Sequence, residues 1–113
     1  MSERKIYLHT NTLNTRFPPA FVASKNKKNI QVKWCRAVYN GKLVGDVRVH
    51  ADFVQRDAYL DHFICFTNVG ESQKYISKYN FIGTRPDFNV WFTDMKGNPV
   101  TVDAFELTLL LTF

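Results

Sequence analysis

Histidines and cysteines are the residues of this chain that could do acid–base, nucleophilic or metal chemistry, and they are few. The three histidines are His9, His50 and His62, and the two cysteines are Cys35 and Cys65. Metal sites and nucleophilic sites place such residues in recognisable motifs, which these positions do not form. The serines stand in no nucleophile-elbow context, and the five glycines are isolated, so no phosphate-binding loop is visible. The sequence therefore predicts no catalytic, metal-binding or cofactor-binding residue, and a protein that is not an enzyme.

The cysteines and the aspartates have simpler interpretations. Each cysteine lies inside a predicted strand without a neighbouring cysteine, which favours buried free thiols over a disulfide framework or a zinc site. Asp52, Asp57 and Asp61 recur at wide spacing, and we expect them to solvate one loop. No cofactor is required by either pattern.

The charge distribution is more informative than the net charge of +5. Residues 1–50 hold ten Lys or Arg against two acids, whereas residues 51–113 hold five against eight. Complementary patches of this kind orient one subunit against its neighbours in an assembly. We therefore predict an interface at whose rim Lys25, Lys27 and Lys28 of one copy face acids of another. The predicted interface residues are Lys25, Lys27, Lys28, Asp52, Asp57, Asp61 and Tyr59.

Length and periodicity predict one all-β domain over residues 1–113. A chain of 113 residues can bury one core and little more. Short segments of alternating polarity are separated by turn residues such as Asn40-Gly41, a strong hairpin signal, and helical periodicity is almost absent. Seven or eight strands spaced in this way indicate an antiparallel sandwich or barrel, and of these we predict a single, jelly-roll-like antiparallel β-sandwich.

The predicted strands determine which residues we expect in the core. We predict continuous strands over 30–39 and 43–50, an edge segment over 21–23, and a hairpin or meander formed by the strands at 88–94 and 105–113. In the last strand, Phe105, Leu107, Leu109, Leu111 and Phe113 share one face because side chains alternate in extended chain. The predicted core is Ile6, Leu8, Ile30, Val32, Trp34, Val47, Val49, Phe63, Val90, Phe92, Leu107, Leu109 and Leu111.

The C-terminal segment resembles a known protein family. It runs from Phe88 to Phe113 and contains the Trp91-Phe92-Thr93-Asp94-Met95-Lys96-Gly97 turn, the Asp103-Ala104-Phe105 start and the Leu-rich last strand. These features are similar to the C-terminal ends of small β-sandwich capsid proteins, the penton-like and minor capsid proteins of polinton-like elements, virophages and large DNA viruses. The segments 45–50 and 59–63 are similar to a middle portion of such sequences. The resemblance covers about half of the chain, and its motifs are structural.

This resemblance implies a viral structural protein that works by assembly, with copies of itself and other capsid proteins as partners and the virion as its location. The chain is short for a complete penton subunit, which leaves a cement or spike-associated role open. We find no signal-peptide core and no apolar run of about 20 residues that could cross a bilayer.

Two other function classes remain open. A receptor-binding or carbohydrate-binding head would use exposed aromatic residues such as Tyr59, Tyr75 or Tyr79 to stack on a ligand. A nucleic-acid-binding β-barrel would use Lys25, Lys27, Lys28 and Arg16. The nucleic-acid-binding barrel is not favoured, because the segment 25–29 lacks the interleaved aromatic residues that single-stranded nucleic acids stack on.

Overall fold

The chain forms nine strands and one short helix in the part that the structure describes. The computed structural model describes residues 3–26, 28–54, 62–67, 78–80 and 85–113, with 78–80 described as backbone only. The elements in chain order are β1 (Lys5–Thr10), β2 (Asn14–Arg16), α1 (Pro19–Ala23), β3 (Asn29–Tyr39), β4 (Lys42–Val44), β5 (Arg48–Ala51), β6 (Phe63–Phe66), β7 (Lys78–Asn80), β8 (Asp87–Thr93) and β9 (Ala104–Thr112).

The strands form two antiparallel sheets that pack on one core, which confirms the predicted β-sandwich. The first sheet has the order β1-β9-β3-β4, with β7 also paired to β3, and the second has the order β2-β8-β5-β6. When β4 is set aside, eight strands remain, which can be renumbered one to eight in chain order. The first sheet, β1-β9-β3-β7, then has the order 1-8-3-6. The second sheet, β2-β8-β5-β6, has the order 2-7-4-5. This is the strand order of a jelly roll, with β4 as a short addition.

The last strand is buried as its alternation predicts. The side chains of Phe105, Leu107, Leu109, Leu111 and Phe113 are all buried. Strand β9 lies between β1 and β3, where Leu109 and Leu111 meet apolar partners on both sides. Leu109, for example, is paired with Leu8 and with Val32. The two flanking strands therefore make β9 the centre of the first sheet.

A β-bulge in β3 explains why Trp34 was wrongly predicted to lie in the core. Val32 pairs with Leu109 and Trp34 pairs with Thr108, which leaves Lys33 as an extra residue. The alternation consequently changes phase, so that Ile30 and Val32 before the bulge and Cys35 and Ala37 after it are buried. Trp34, predicted to be inside, is half-exposed on the outer face instead.

The predicted strand over 43–50 is two strands in different sheets. Strand β4 returns from the Asn40-Gly41 turn and pairs with β3, and the chain then crosses to the second sheet and continues as β5. Asn40 and Gly41 both have positive φ, 53° and 73°, as the predicted two-residue turn requires. The crossing contains Asp46, whose φ is also positive at 59°. The hairpin prediction is therefore confirmed, but its second strand is much shorter than expected.

Two further predictions are wrong. Strands β8 and β9 lie in different sheets, so they do not form a hairpin with one another. Strand β8 instead ends in a local turn that is closed by a bridge between Thr93 and Pro99. The segment 21–23 belongs to the short helix α1, which begins at Pro19, because proline has the φ angle suited to the first helical turn.

Phenylalanine fills one end of the core. The rings of Phe17 and Phe88 lie 4.8 Å apart, those of Phe53 and Phe88 5.2 Å, and those of Phe17 and Phe21 5.3 Å. Phe113 packs its edge against Phe21 at 5.4 Å. Much of the high aromatic content is thus buried within the chain.

Of the predicted core residues, Ile6, Leu8 and Phe63 are half-buried, and Ile6 and Leu8 pack against the core from its margin. Within the described residues no helix is long and apolar enough to cross a membrane.

Candidate functional site

The sandwich has two ends, and the predicted interface residues that the structure describes lie at one of them. This helix end contains α1 together with the loops around Lys25, Asp52 and Arg85. Lys25 is exposed, in the loop that leads from α1 to β3. The basic and acidic residues predicted to face one another across an interface thus belong to the same end of one chain.

Lys28 is engaged within the chain. Its Nζ donates a hydrogen bond to the backbone carbonyl of Val22 at 2.7 Å and lies 5.8 Å from the centre of the Phe21 ring. The side chain is half-buried and ties the loop before β3 back onto α1. Such an anchored ammonium group is a weaker candidate for a contact between subunits than the exposed Lys25.

Asp52 is also engaged. Its two carboxylate oxygens accept hydrogen bonds from the backbone N–H and the side-chain amide of Asn89, both at 2.9 Å. Arg85 lies 3.2 Å from the same carboxylate. Asp52 therefore fastens the loop after β5 to strand β8, which gives it a structural role within the chain.

Several predicted residues lie outside the described part. They are Lys27, Asp57, Tyr59, Asp61 and Tyr75. Tyr79 lies on β7, which pairs with β3, and Arg16 is exposed at the end of β2. The interface that these residues were predicted to form stays a prediction.

The opposite end, here named the hairpin end, carries exposed apolar side chains. Hydrogen bonds join its loops: the N–H of Asp103 donates to the carbonyl of Val38 at 2.8 Å, and the N–H of Asn40 donates to Oδ2 of Asp103 at 2.7 Å. Its large exposed apolar residues are Leu13 (58% exposed), Tyr39 (49%), Leu43 (41%) and Met95 (51%). In the described residues, Tyr7 is the other large apolar side chain in this class, and it lies on β1. Sequence reasoning missed this set because its members come from three separate segments of the chain.

The outer face of the second sheet carries a cluster of aromatic and histidine side chains. The ring of His50 stacks on Trp91 at 5.5 Å and 8°, and His62 meets the same indole edge-on at 5.6 Å. His50 Nε2 and the Thr93 hydroxyl are hydrogen-bonded at 2.7 Å. The side chain of His50 is buried beneath its neighbours in this cluster.

Arg48 stands beside this cluster. It lies on β5 between Phe66 of β6 and Thr93 of β8. Its Nε is buried and has no hydrogen-bond acceptor among the residues described. A buried donor without an acceptor costs free energy, which makes this atom an exception among the buried polar side-chain atoms of the described residues.

A cleft of about 520 Å³ opens next to Arg48. Polar groups contribute little to its lining, which includes Arg48, His50, Thr93 and Thr101. The rest of the wall is mainly apolar, with Leu13, Trp91, Pro99, Val100 and Val102. A concave apolar surface with a few convergent polar groups is the usual form of a small-molecule site.

The first sheet also has a depression on its outer face. It is lined by His9, Trp34, Glu106 and Thr108 and has a volume of about 420 Å³. Here the polar groups are paired, because Nδ1 of His9 and the Thr108 hydroxyl lie 2.9 Å apart and Arg36 donates to Glu106 at 2.8 Å. The imidazole of His9 and the carboxylate of Glu106 thus have partners, in contrast to Nε of Arg48.

Metal chemistry and known relatives give no further assignment. Across residues 3–26, 28–54, 62–67, 78–80 and 85–113, no group of three or more His, Cys, Asp or Glu is placed to hold a metal ion. No protein-family model matches the chain, and no curated protein or solved structure matches it either.

Proposed function

We propose that this protein is a non-enzymatic viral structural protein that acts by assembling with copies of itself and with other capsid proteins. Minor capsid, penton-like, and cement or spike-associated subunits all fall within the proposal. The observation that carries it is the jelly-roll strand order, which recurs in viral capsid domains as well as in lectins and cupins. A rigid sandwich of this kind presents its loops at two ends, where neighbouring subunits can contact them.

The hairpin end supports an assembly role. Tyr39 and Leu43 lie beside the Asn40-Gly41 turn, and Met95 lies in the turn after β8. Apolar side chains that are exposed singly are normal, but several at one end of a small domain are suited to contacts between chains. We therefore place the principal contact between copies at the hairpin end.

The test is the molar mass in solution, measured by light scattering over a range of protein concentrations. The wild-type chain should form oligomers, and the double substitution Tyr39→Ser with Leu43→Ser should shift the population toward the monomer. Both side chains are already exposed in the single chain, so their replacement should leave folding intact.

Tyr7→Ser is the matched control, because Tyr7 is 60% exposed but lies in the body of the first sheet. Its oligomers should match those of the wild type. A wild-type chain that stays monomeric at high concentration and low salt would contradict the proposal. Equal effects of the control and the double variant would contradict the placement of the contact.

A further inference from the structure

We propose that the cleft beside Arg48 is a binding site for a small organic monocarboxylate with an apolar ring. This inference stands independently of the proposed assembly role. It begins with Arg48, whose guanidinium carries a charge at any ordinary pH. The Nε donor of this group is buried and lacks an acceptor in the described part of the chain, and Arg48 contributes to the lining of the cleft.

A guanidinium without a carboxylate partner attracts an anion. A carboxylate accepts two parallel hydrogen bonds from a guanidinium, and the two terminal NH2 groups of Arg48 can supply both to a ligand in the cleft. Ion pairs are formed elsewhere in this chain by Arg36 with Glu106 and by Arg85 with Asp52. Arg48 forms no ion pair with a carboxylate among the described residues, so an anion in the cleft would be its ionic partner, as those acids are for the other two arginines.

The number of charges in the lining selects the kind of anion. Arg48 is the only Lys or Arg in the wall of the cleft, and all of the residues of that wall are described. One guanidinium balances one negative charge, whereas a phosphate group carries up to two at neutral pH. The lining therefore favours a monocarboxylate over a phosphate.

The other walls determine what the carboxylate should be attached to. Leu13, Val100 and Val102 line the cleft together with the half-exposed ring of Trp91. A compact hydrocarbon ring would displace water from these surfaces, and each buried methylene group contributes about 0.8 kcal/mol. The cleft volume of about 520 Å³ is within the range of small-molecule sites. A highly hydroxylated ligand would find few hydrogen-bond partners on these walls.

The experiment compares 1-naphthoate with 1-naphthamide, which have nearly the same shape but differ in charge. Binding to the full wild-type chain is measured by calorimetry at neutral pH, and the site is located from NMR signals of the Arg48 Nε–H and the Trp91 indole N–H. We expect 1-naphthoate to bind about tenfold to a hundredfold more tightly than the amide, since the hydrogen bonds are to a charged group. Both NMR signals should shift on titration.

Arg48→Gln should reduce the affinity for 1-naphthoate to the level of the amide and leave amide binding unchanged. Arg36→Gln is the matched control, because Arg36 lies on the outer face of the other sheet, and its affinity should equal that of the wild type. Equal binding of the two probes by the wild type would overturn the proposal without reference to any variant. Binding of 1-naphthoate without a shift of the Arg48 signal would overturn it as well.

Discussion

Cys35 of β3 and Cys65 of β6 are neighbours in the core, although their strands belong to opposite sheets. Both side chains are fully buried, and both are free thiols. The predicted burial of the two cysteines is therefore confirmed. What the sequence did not indicate is that they would be neighbours, since 30 residues separate them along the chain.

The first prediction concerns the reactivity of these thiols. The hydrogen bond with Cys35, followed by burial, raises the pKa of Cys65 well above its ordinary value. Because the thiolate is the reactive form, iodoacetamide should not modify Cys35 or Cys65 in the native protein at neutral pH, whereas both should react in guanidinium chloride. Mass spectrometry of tryptic peptides measures this directly. Rapid modification of the native protein would contradict the packing described for the pair.

The same shift has a consequence for stability. A thiol whose pKa is higher in the folded state than in the unfolded state favours folding fully only below the unfolded value, about 8.5. As the pH rises above that value, the unfolded chain loses its proton first and the contribution declines. The free energy of unfolding should therefore fall above about pH 8.5, and Cys65→Ala should weaken this dependence. A wild-type curve that is flat from pH 8 to 10 would count against the prediction.

Much of the fold could be predicted because period-two alternation is unambiguous where one face is buried. Strand β9 is the best case, since its five inward residues are all apolar and end at Phe113. The Asn40-Gly41 turn was predictable for a different reason, namely that both residues tolerate positive φ. Local chemistry was sufficient in both places.

The errors occur where the backbone departs from regular strand. The bulge at Lys33 reverses the faces of Trp34 and Cys35, and no residue type in β3 marks that position. The crossing between sheets near Asp46 is equally hidden, because Val44 and Val47 continue the apolar pattern on either side of it. The bulge and the crossing depend on which distant strands pair with each other, and this pairing cannot be read from a single sequence.

The candidate cleft was not predictable for the same reason. The sequence does not show that Arg48 Nε is buried without an acceptor, because this depends on the pairing of β5 with β6 and β8. Leu13 and Val100 reach the same cleft from loops far apart in the chain. Lys28 and Asp52 were predicted to be interface residues because of the charges along the chain. The charge pattern did not predict that Lys28 would bind the carbonyl of Val22 or that Asp52 would bind Asn89.

A second prediction tests the centre of the first sheet. Leu109→Ala should lower the free energy of unfolding by about 2–5 kcal/mol, because it removes a fully buried side chain between β1 and β3. Leu110→Ala is the control, since the next residue points to the opposite face and is only half-buried. Its cost should be about 1 kcal/mol. Urea denaturation of the two variants measures the difference, and equal costs would show that the alternation of β9 is misassigned.

A third prediction is that neither a chelator nor a reducing agent changes the thermal midpoint. The cysteines are free, and no cluster of metal ligands occurs in the described part of the chain. Thermal unfolding should therefore be the same with EDTA, with dithiothreitol, with both and with neither. A drop with EDTA alone would reveal a metal site, and a drop with dithiothreitol alone would reveal a disulfide.

The last prediction concerns Asp94 in the turn after β8. The backbone N–H of Asn98 donates to Oδ1 of Asp94 at 2.9 Å, and that of Lys96 donates to the same atom at 2.8 Å. These bonds, that of Asn98 first, lower the pKa of the Asp94 carboxyl group below its usual value. A carboxyl group with a lowered native pKa stabilises the folded state above the unfolded value of about 3.9, and this contribution is lost as the pH falls through the native value. The free energy of unfolding of Asp94→Asn should thus be lower than that of the wild type near neutral pH, and the two values should converge in acid. A carbon NMR titration in which Asp94 titrates at or above its usual value would contradict this interpretation of the turn.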